Sequence, residues 1–349
     1  MKFLLYGAYG YTGELIVEMA GNFGLEPILA GRNEEKLRAL SQKSGYAFRS
    51  FNLDNIEQIQ AQLKDIDLVI HAAGPFKYTA RPMMEACIQS KTHYLDITGE
   101  IEVFELGAKL GSAAAEAGIT LMPGVGFDVV PTDCMAAYLK KKLPDAIDLK
   151  LAFASVGGGV SHGTASTMAE RLGELSARRE NGKIVGVPLG VSTMNVPFPG
   201  KDRFAMSIPW GDVSTAYHST GIPNIEVFTS VHPKSHARLK YQKYIDWLLR
   251  TDFVRNQVKK RIKKGPAGPS PEKRVKANSL IWGQVTNAAG VQKAAQMTTL
   301  EGYTLTATTS LMIAKKVLEG NFKKGFQTPS NGYGADLIME VPSTVRTDL

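Results

Sequence analysis

A short apolar run, Phe3-Leu-Leu-Tyr6, breaks into Gly7-x-x-Gly10-x-x-Gly13, and apolar side chains then recur at helical spacing at Leu15, Ile16 and Met19. The order buried strand, glycine turn, helix is restrictive. Gly7 permits a tight turn off the strand, Gly10 a close approach of backbone to a bulky anion, and Gly13 close packing of helix on strand. The opening helix points its N–H groups and positive dipole end at that anion. Such a unit binds the pyrophosphate of a dinucleotide. The alternative is a turn that needs glycine for geometry alone. Gly7, Tyr9, Gly10, Tyr11, Thr12 and Gly13 are therefore candidate cofactor-binding residues.

A second strand, from Pro27, ends at Arg32. Domains that prefer NAD place an acid near this point for the ribose 2′-hydroxyl, whereas Arg accommodates the 2′-phosphate of NADP. Arg32 points to NADP(H), with Asn33 able to add a neutral hydrogen bond and Asp54, after the third strand at 46–51, able to meet the adenine. A solvated Arg at a strand end is the plainer alternative. Further strands are expected at 67–71, 93–97 and 119–122, and helices at 56–63, 82–90 and 101–117. This alternation predicts a Rossmann-type, doubly wound parallel sheet, whose ligands bind beyond the carboxyl ends of the strands. Ala73, Gly74 and Phe76, after the fourth strand, would frame the nicotinamide.

Several segments together resemble the saccharopine dehydrogenase-like superfamily, in particular its trans-acting enoyl reductases. They are Gly7-Ala-Tyr-Gly-Tyr-Thr-Gly13, Ala30-Gly-Arg32, Ala73-Gly-Pro-Phe76, 94–100 (Tyr-Leu-Asp-Ile-Thr-Gly-Glu) and 117–133. Fainter echoes occur at 301–306 and 325–330. The resemblance implies an NADP-binding Rossmann domain, a second α/β domain after it and a C-terminal segment that returns to the first. It also implies hydride transfer to an enoyl acyl thioester or a carbonyl. Enzymes that form saccharopine carry a Gly-x-Asp-Pro-Gly-type turn, where this chain reads Gly126-Phe-Asp-Val-Val-Pro131. The expected domains are 1–130, 131–320 with a mixed or antiparallel sheet and a role in substrate binding or dimerisation, and 321–349 packed on the first. Two further readings stay open, a non-catalytic NADP-binding scaffold and an amino-acid dehydrogenase of the saccharopine type.

At 349 residues the chain exceeds a single typical core. No apolar run approaches the roughly 18 residues of a transmembrane helix. The two cysteines, Cys87 and Cys134, form no disulfide framework or zinc spacing, so a cytoplasmic protein without a metal is expected. Charge is uneven. Residues 1–123 carry 11 Lys and Arg against 15 Asp and Glu, while the whole chain is +8, so the remainder is +12. Within it, Lys259-Lys-Arg-Ile-Lys-Lys264 would end a helix anchored by Ile245, Leu248, Leu249, Phe253 and Val258. The tract is either a solvated helix end or a landing surface for an acidic partner, such as a carrier-bound substrate, coenzyme A phosphates or an anionic surface. The run lacks the interleaved aromatics of a nucleic-acid site. A homodimer is compatible with this composition.

Farther along, a helix is expected from Gly163 to about Arg179, a tight turn at Asn181-Gly182, and strands at 148–156, 183–187, 225–231, 275–285 and 294–300. A helix covers 305–318. Reduction also needs a proton donor or oxyanion stabiliser. Tyr94 and Asp96 share one face of the fifth strand, and Asp128 and Asp133 bracket a Val-Val-Pro turn; these four are the candidate catalytic residues. Asp96 and Asp133 could equally cap helices. Tyr138 and Lys142 have the spacing of a short-chain dehydrogenase pair, but sit where a basic helix end is expected anyway.

Overall fold

The computed structural model describes residues 2–242 and 245–349. The run Phe3–Tyr6 (β1) is buried along its whole length, as an uninterrupted apolar strand must be in a sheet covered on both faces. It is followed by Pro27–Gly31 (β2), Phe48–Ser50 (β3), Leu68–His71 (β4), His93–Asp96 (β5) and Thr120–Met122 (β6). The parallel order is β6-β5-β4-β1-β2-β3, with Gly325–Phe326 added beyond β6 to make seven strands. In register, Leu4 lies between Ile28 and Val69. The strand order reverses between β1 and β4, the switch point where a crevice opens at the carboxyl ends.

Helices Tyr11–Ala20 (α1), Glu34–Ser44 (α2), Ile56–Leu63 (α3), Phe76–Ser90 (α4) and Ile101–Glu116 (α5) complete this unit. Its core joins Leu4, Val69, Met83, Met84 and Tyr94, and full burial of such a side chain stabilises by about 1.5–3 kcal/mol. The caps follow the sequence. Asn33 and Asn55 accept the N–H groups of Lys36 and Gln58 at the starts of α2 and α3. Helix α4 starts six residues before the expected Pro82. Its first turn is held by a distant side chain, Glu100, and Pro82 is accommodated inside the helix.

The chain divides into two units, residues 1–130 with 303–333 and residues 131–302 with 334–349. In the second, Ala146–Val156 is the long central strand of a nine-stranded sheet. It runs parallel to Asn224–Ser230 and antiparallel to Asn278–Asn287, so the sheet is mixed. Gln292–Leu300 follows by a hairpin, and Val345–Asp348 pairs with it. Ala152, Phe228, Trp282 and Val196 form its core. The helix Gly302–Leu318 and the strand Gly325–Phe326 lie in the first unit and Val345–Asp348 in the second, so the C-terminal segment is divided between them.

Three expectations are corrected here. The helix expected to run from Gly163 to Arg179 is His162–Glu170, followed by the strand Ser176–Glu180. Gly173 adopts φ +76°, and the Asn181-Gly182 turn requires a strand on both sides, so Ser176–Glu180 pairs with Lys183–Val187. The strand expected from Val275 begins at Asn278, because Pro271 at the first helical position opens a short helix to Lys276. The helix expected through 245–258 is two pieces, Asp246–Leu249 and Asp252–Ile262, split where Thr251 caps the second by accepting the Val254 N–H. Its supposed anchors Trp247-flanking Ile245 and Leu248, and Phe253, are exposed.

Candidate functional site

Six segments leave the carboxyl ends of β1–β6, and the first unit's candidate residues lie on them, except Asp96 at the end of β5 and Tyr94, which is buried inside that strand. At β1, Gly7 has φ +91°, and a Cβ there would stand 2.8 Å from the Ala72 carbonyl carbon and 2.9 Å from Ala73 N. The turn is thus pressed against the end of β4 in a way only glycine allows. A Cβ on Gly13 would stand 2.7 Å from the Ala8 oxygen, so the first turn of α1 seats directly on the strand exit. Gly10 is the N-cap of α1, with no side-chain cap. The α1 N-terminus, with Tyr11, Thr12 and Gly13 in its first turn, keeps its dipole end for an anion. The Tyr11 ring meets Tyr303 edge-on at 5.0 Å.

At β2, the Tyr9 ring lies against Gly31, where a Cβ would approach it to 2.6 Å. Lys36 Nζ stands 5.6 Å from the Tyr9 ring centroid. Arg32 is exposed beside this group. The Asn33 side chain caps α2 through Oδ1. Tyr6 Oη donates to the Phe51 carbonyl (3.0 Å). Burial, the Tyr9 hydroxyl and Asp54 push the Tyr6 phenol up to about 12, with Arg32 opposing. Tyr9, Arg32 and Asp54 therefore surround one strand end. Lys36 is a cation the sequence reading left out; its position one turn into α2, beside Asn33, was the available signal.

At β4, the chain passes through Ala73 and a cis Gly74–Pro75 bond into α4. Thr79 Oγ1 lies 3.0 Å from His71 Nε2 and donates to the Ala73 carbonyl (2.8 Å). Burial pushes His71 down to about 3, so the ring is neutral. Glu100, at the exit of β5, accepts the Phe76 N–H (2.9 Å) and the Lys77 N–H (2.7 Å). It occupies the α4 N-terminus with a carboxylate of this chain.

Asp96 ends β5 fully buried. It accepts hydrogen bonds from Tyr94 Oη (2.7 Å), Thr98 N–H (2.9 Å) and Gly124 N–H (2.8 Å). Burial nevertheless pushes its carboxyl up to about 7, and burial also holds the Tyr94 phenol well above 10. Asp128 lies in the turn after β6, partly buried, with its Oδ2 2.6 Å from where a Gly99 Cβ would be. Burial, reinforced by the Glu100 charge, pushes it up to about 7. The helix Gly302–Leu318 fixes that turn: Thr306 Oγ1 accepts the Phe127 N–H (3.0 Å), and Thr309 Oγ1 donates to the Val125 carbonyl (2.7 Å). Asp96, Glu100 and Asp128 thus converge at the exits of β5 and β6.

Asp133 is placed in the second unit, buried in the helix Val130–Lys142, where it accepts from Ser219 Oγ. Tyr138 donates to Asp348 (2.8 Å) under the Arg346 guanidinium, and Lys142 pairs with the same carboxylate. Both are engaged with the last strand. Among the described residues no group of His, Cys, Asp and Glu could hold a metal ion.

Residues 3–122 match the family of saccharopine dehydrogenase NADP-binding domains. The match covers the six parallel strands β1–β6 and helices α1–α5, so this part of the chain is similar to such a domain. The glycine turn against β4 and the uncapped α1 suit the pyrophosphate that this domain type binds. The resemblance extends to named relatives. A saccharopine dehydrogenase-like oxidoreductase of Rattus norvegicus is 28% identical over 178 residues, 45% of this chain and 42% of its own. A lipid droplet localized protein of Caenorhabditis elegans is 30% identical over 152 residues, 40% of this chain and 36% of its own. A protein named as a trans-acting enoyl reductase in Mycobacterium tuberculosis is 28% identical over 194 residues, 51% of this chain and 46% of its own. The matches span less than half the length of these relatives. Apo saccharopine dehydrogenase (L-Glu forming) from Saccharomyces cerevisiae shares the fold over 100% of this chain and 99% of its own, with a TM-score of 0.67 at 15% identity.

Proposed function

We propose that the chain is an NADP-dependent reductase that delivers hydride and proton to an enoyl acyl thioester or a related carbonyl. The observation that carries this reading is the Asp128 carboxyl, pushed up to about 7 on the rim that also holds the glycine turn. A carboxylic acid that is half protonated near neutral pH is suited to proton transfer. Gly7 to Gly13 and the α1 N-terminus would hold the pyrophosphate. Arg32 and Lys36 would hold the 2′-phosphate by charge-assisted hydrogen bonds, and Ala73, Gly74 and Phe76 would border the nicotinamide. NADPH, when bound, supplies a hydride.

Asp128 gives the matching proton to the substrate atom left with the electron pair, and becomes a carboxylate. Asp96 has three donors on its carboxyl and acts by holding the β6 turn, with Tyr94 orienting it. Glu100 orients the β4 exit and keeps Asp128 protonated through its charge. The enoyl thioester as acceptor is supported by the name of the mycobacterial relative and by the missing Pro-Gly of the saccharopine-type turn. An acidic, carrier-bound acyl group suits the basic remainder of the chain. Buried, unpaired Cys87 and Cys134 suit a reducing compartment such as the cytoplasm, and among the described residues no helix is long and apolar enough to cross a membrane.

The test is NADPH consumption with enoyl and keto acyl thioesters, preceded by titration with NADPH and NADH. Selective NADPH binding followed by turnover is expected. Tight NADPH binding without turnover by any enoyl, keto or amino-acid-derived acceptor overturns the reductase assignment.

A further inference from the structure

The bulkiest exposed apolar side chains of the second unit lie in the same segment as a dense run of positive charge. Trp247 is 71% exposed and Phe253 72%, with Ile245 and Leu248 also half-exposed. Amphipathic helices ordinarily turn such residues inward. Here Arg250 donates to the Gly173 carbonyl (2.7 Å), Arg255 to the Leu172 carbonyl (2.9 Å), and Lys259 pairs with Glu170. These bonds hold the inner face of the two helices against the segment 170–174. The outer face is left with Phe253 at one end and Lys260, Arg261 and Lys264 at the other, all exposed. His162 lies 3.0 Å from the Gly265 carbonyl through Nε2, and its N–H donates to Ala267, so the loop that follows the cations is tied down too.

Residues 245–264 contain seven Lys and Arg against two Asp, Asp246 and Asp252. Both acids sit in first turns, where they complement helix dipoles. A face of this charge repels a second copy of itself, which argues against a homodimer seam. Exposed Trp and Phe next to Lys and Arg match the boundary of a lipid leaflet, where aromatic rings lie at headgroup depth and cations pair with anionic headgroups.

We propose that the surface formed by Asp246–Leu249 and Asp252–Ile262, with Trp247 and Phe253 as apolar anchors and Lys260, Arg261, Lys263 and Lys264 as cations, docks the protein peripherally on an anionic lipid surface. The assignment is independent of the reaction carried out by the first unit.

The experiment is co-sedimentation of the full chain with phosphatidylcholine vesicles, with and without phosphatidylglycerol. The protein is expected to pellet with the anionic vesicles, to be released by added salt, and to stay in solution with phosphatidylcholine alone. Trp247 emission shifts to the blue on binding, and W247F removes that shift. K260E/K264E and W247A/F253A each lower partitioning by roughly tenfold or more. Unchanged thermal melting and NADPH titration show that these variants fold. Equal pelleting with both vesicle types, no pelleting with either, or undiminished pelleting of either double variant overturns the proposal. Capture by an acidic acyl carrier protein with vesicles left unbound also overturns it, and assigns the surface to a protein.

Discussion

Glu100 receives the backbone N–H of Phe76 at 2.9 Å, so the loop leaving β5 holds the first turn of the helix leaving β4. The same carboxylate also takes the Lys77 N–H and adds to the field that keeps Asp128 protonated. One side chain therefore serves both the shape of the proposed nicotinamide border and the acidity of the proposed donor.

Glu100→Gln keeps one acceptor and removes the charge. We expect a stability loss of about 1–3 kcal/mol, the cost of weakening a buried acceptor of two N–H donors. Removing a neighbouring negative charge favours the ionised form of Asp128, so the basic limb of the pH–rate profile moves to lower pH. Denaturant melts and a pH series of kcat check the two effects separately.

Asp128→Asn is expected to leave NADPH affinity within about twofold of wild type and to lower kcat by roughly 100-fold or more, the usual contribution of a general acid. In the wild type, kcat falls as pH rises through about 7, where Asp128 loses its proton. The variant shows no such limb.

The same group gives a stability test. Asp128 titrates near 7 when folded and near 3.9 when unfolded, so the folded state binds more protons between these values. Its contribution is fully present below about pH 4 and is lost as pH rises toward 7; Asp96, also raised to about 7, acts with the same sign. The melting temperature of Asp128→Asn should exceed that of the wild type at pH 8 by about 2 °C or more, with the gap closing near pH 4.

Arg32→Ala removes the proposed charge-assisted partner of the 2′-phosphate. The preference for NADPH over NADH should fall roughly ten- to a hundredfold, with NADH affinity little changed. Fluorescence titration with both nucleotides measures it. An unaltered preference would move the selectivity to Lys36.

Much of the first unit was readable in the sequence because its strands are short, continuous apolar runs closed by Gly or Asp. Gly7 and Asp96 mark such ends, and the β1, β4 and β5 exits fall where the run stops. What escaped depended on contacts between distant residues. Nothing local says that Glu100 will cap a helix beginning at Phe76, or that Thr306 will fix the turn holding Asp128. In the second unit, periodicity misled where apolar residues face water. Phe253 and Ile245 have the spacing of core anchors, and only the placement of Arg250 and Arg255 on 172–173 shows that the other face turns inward. The helix from His162 stops at Glu170, short of Arg179, and the positive φ at Gly173 leaves no periodic mark in the sequence beyond a single letter.

The interleaving of 1–130 with 303–333, and of 131–302 with 334–349, bears on how the chain matures during synthesis. The parallel sheet gains its edge strand Gly325–Phe326 only after residues 131–302 of the second unit have been made, and Gln292–Leu300 waits for Val345–Asp348. Neither unit can reach its final form as the chain is made in order. Each is completed by a segment that follows most of the other unit in sequence, so a message interrupted between residues 302 and 325 yields two unfinished sheets instead of one finished domain and one missing one.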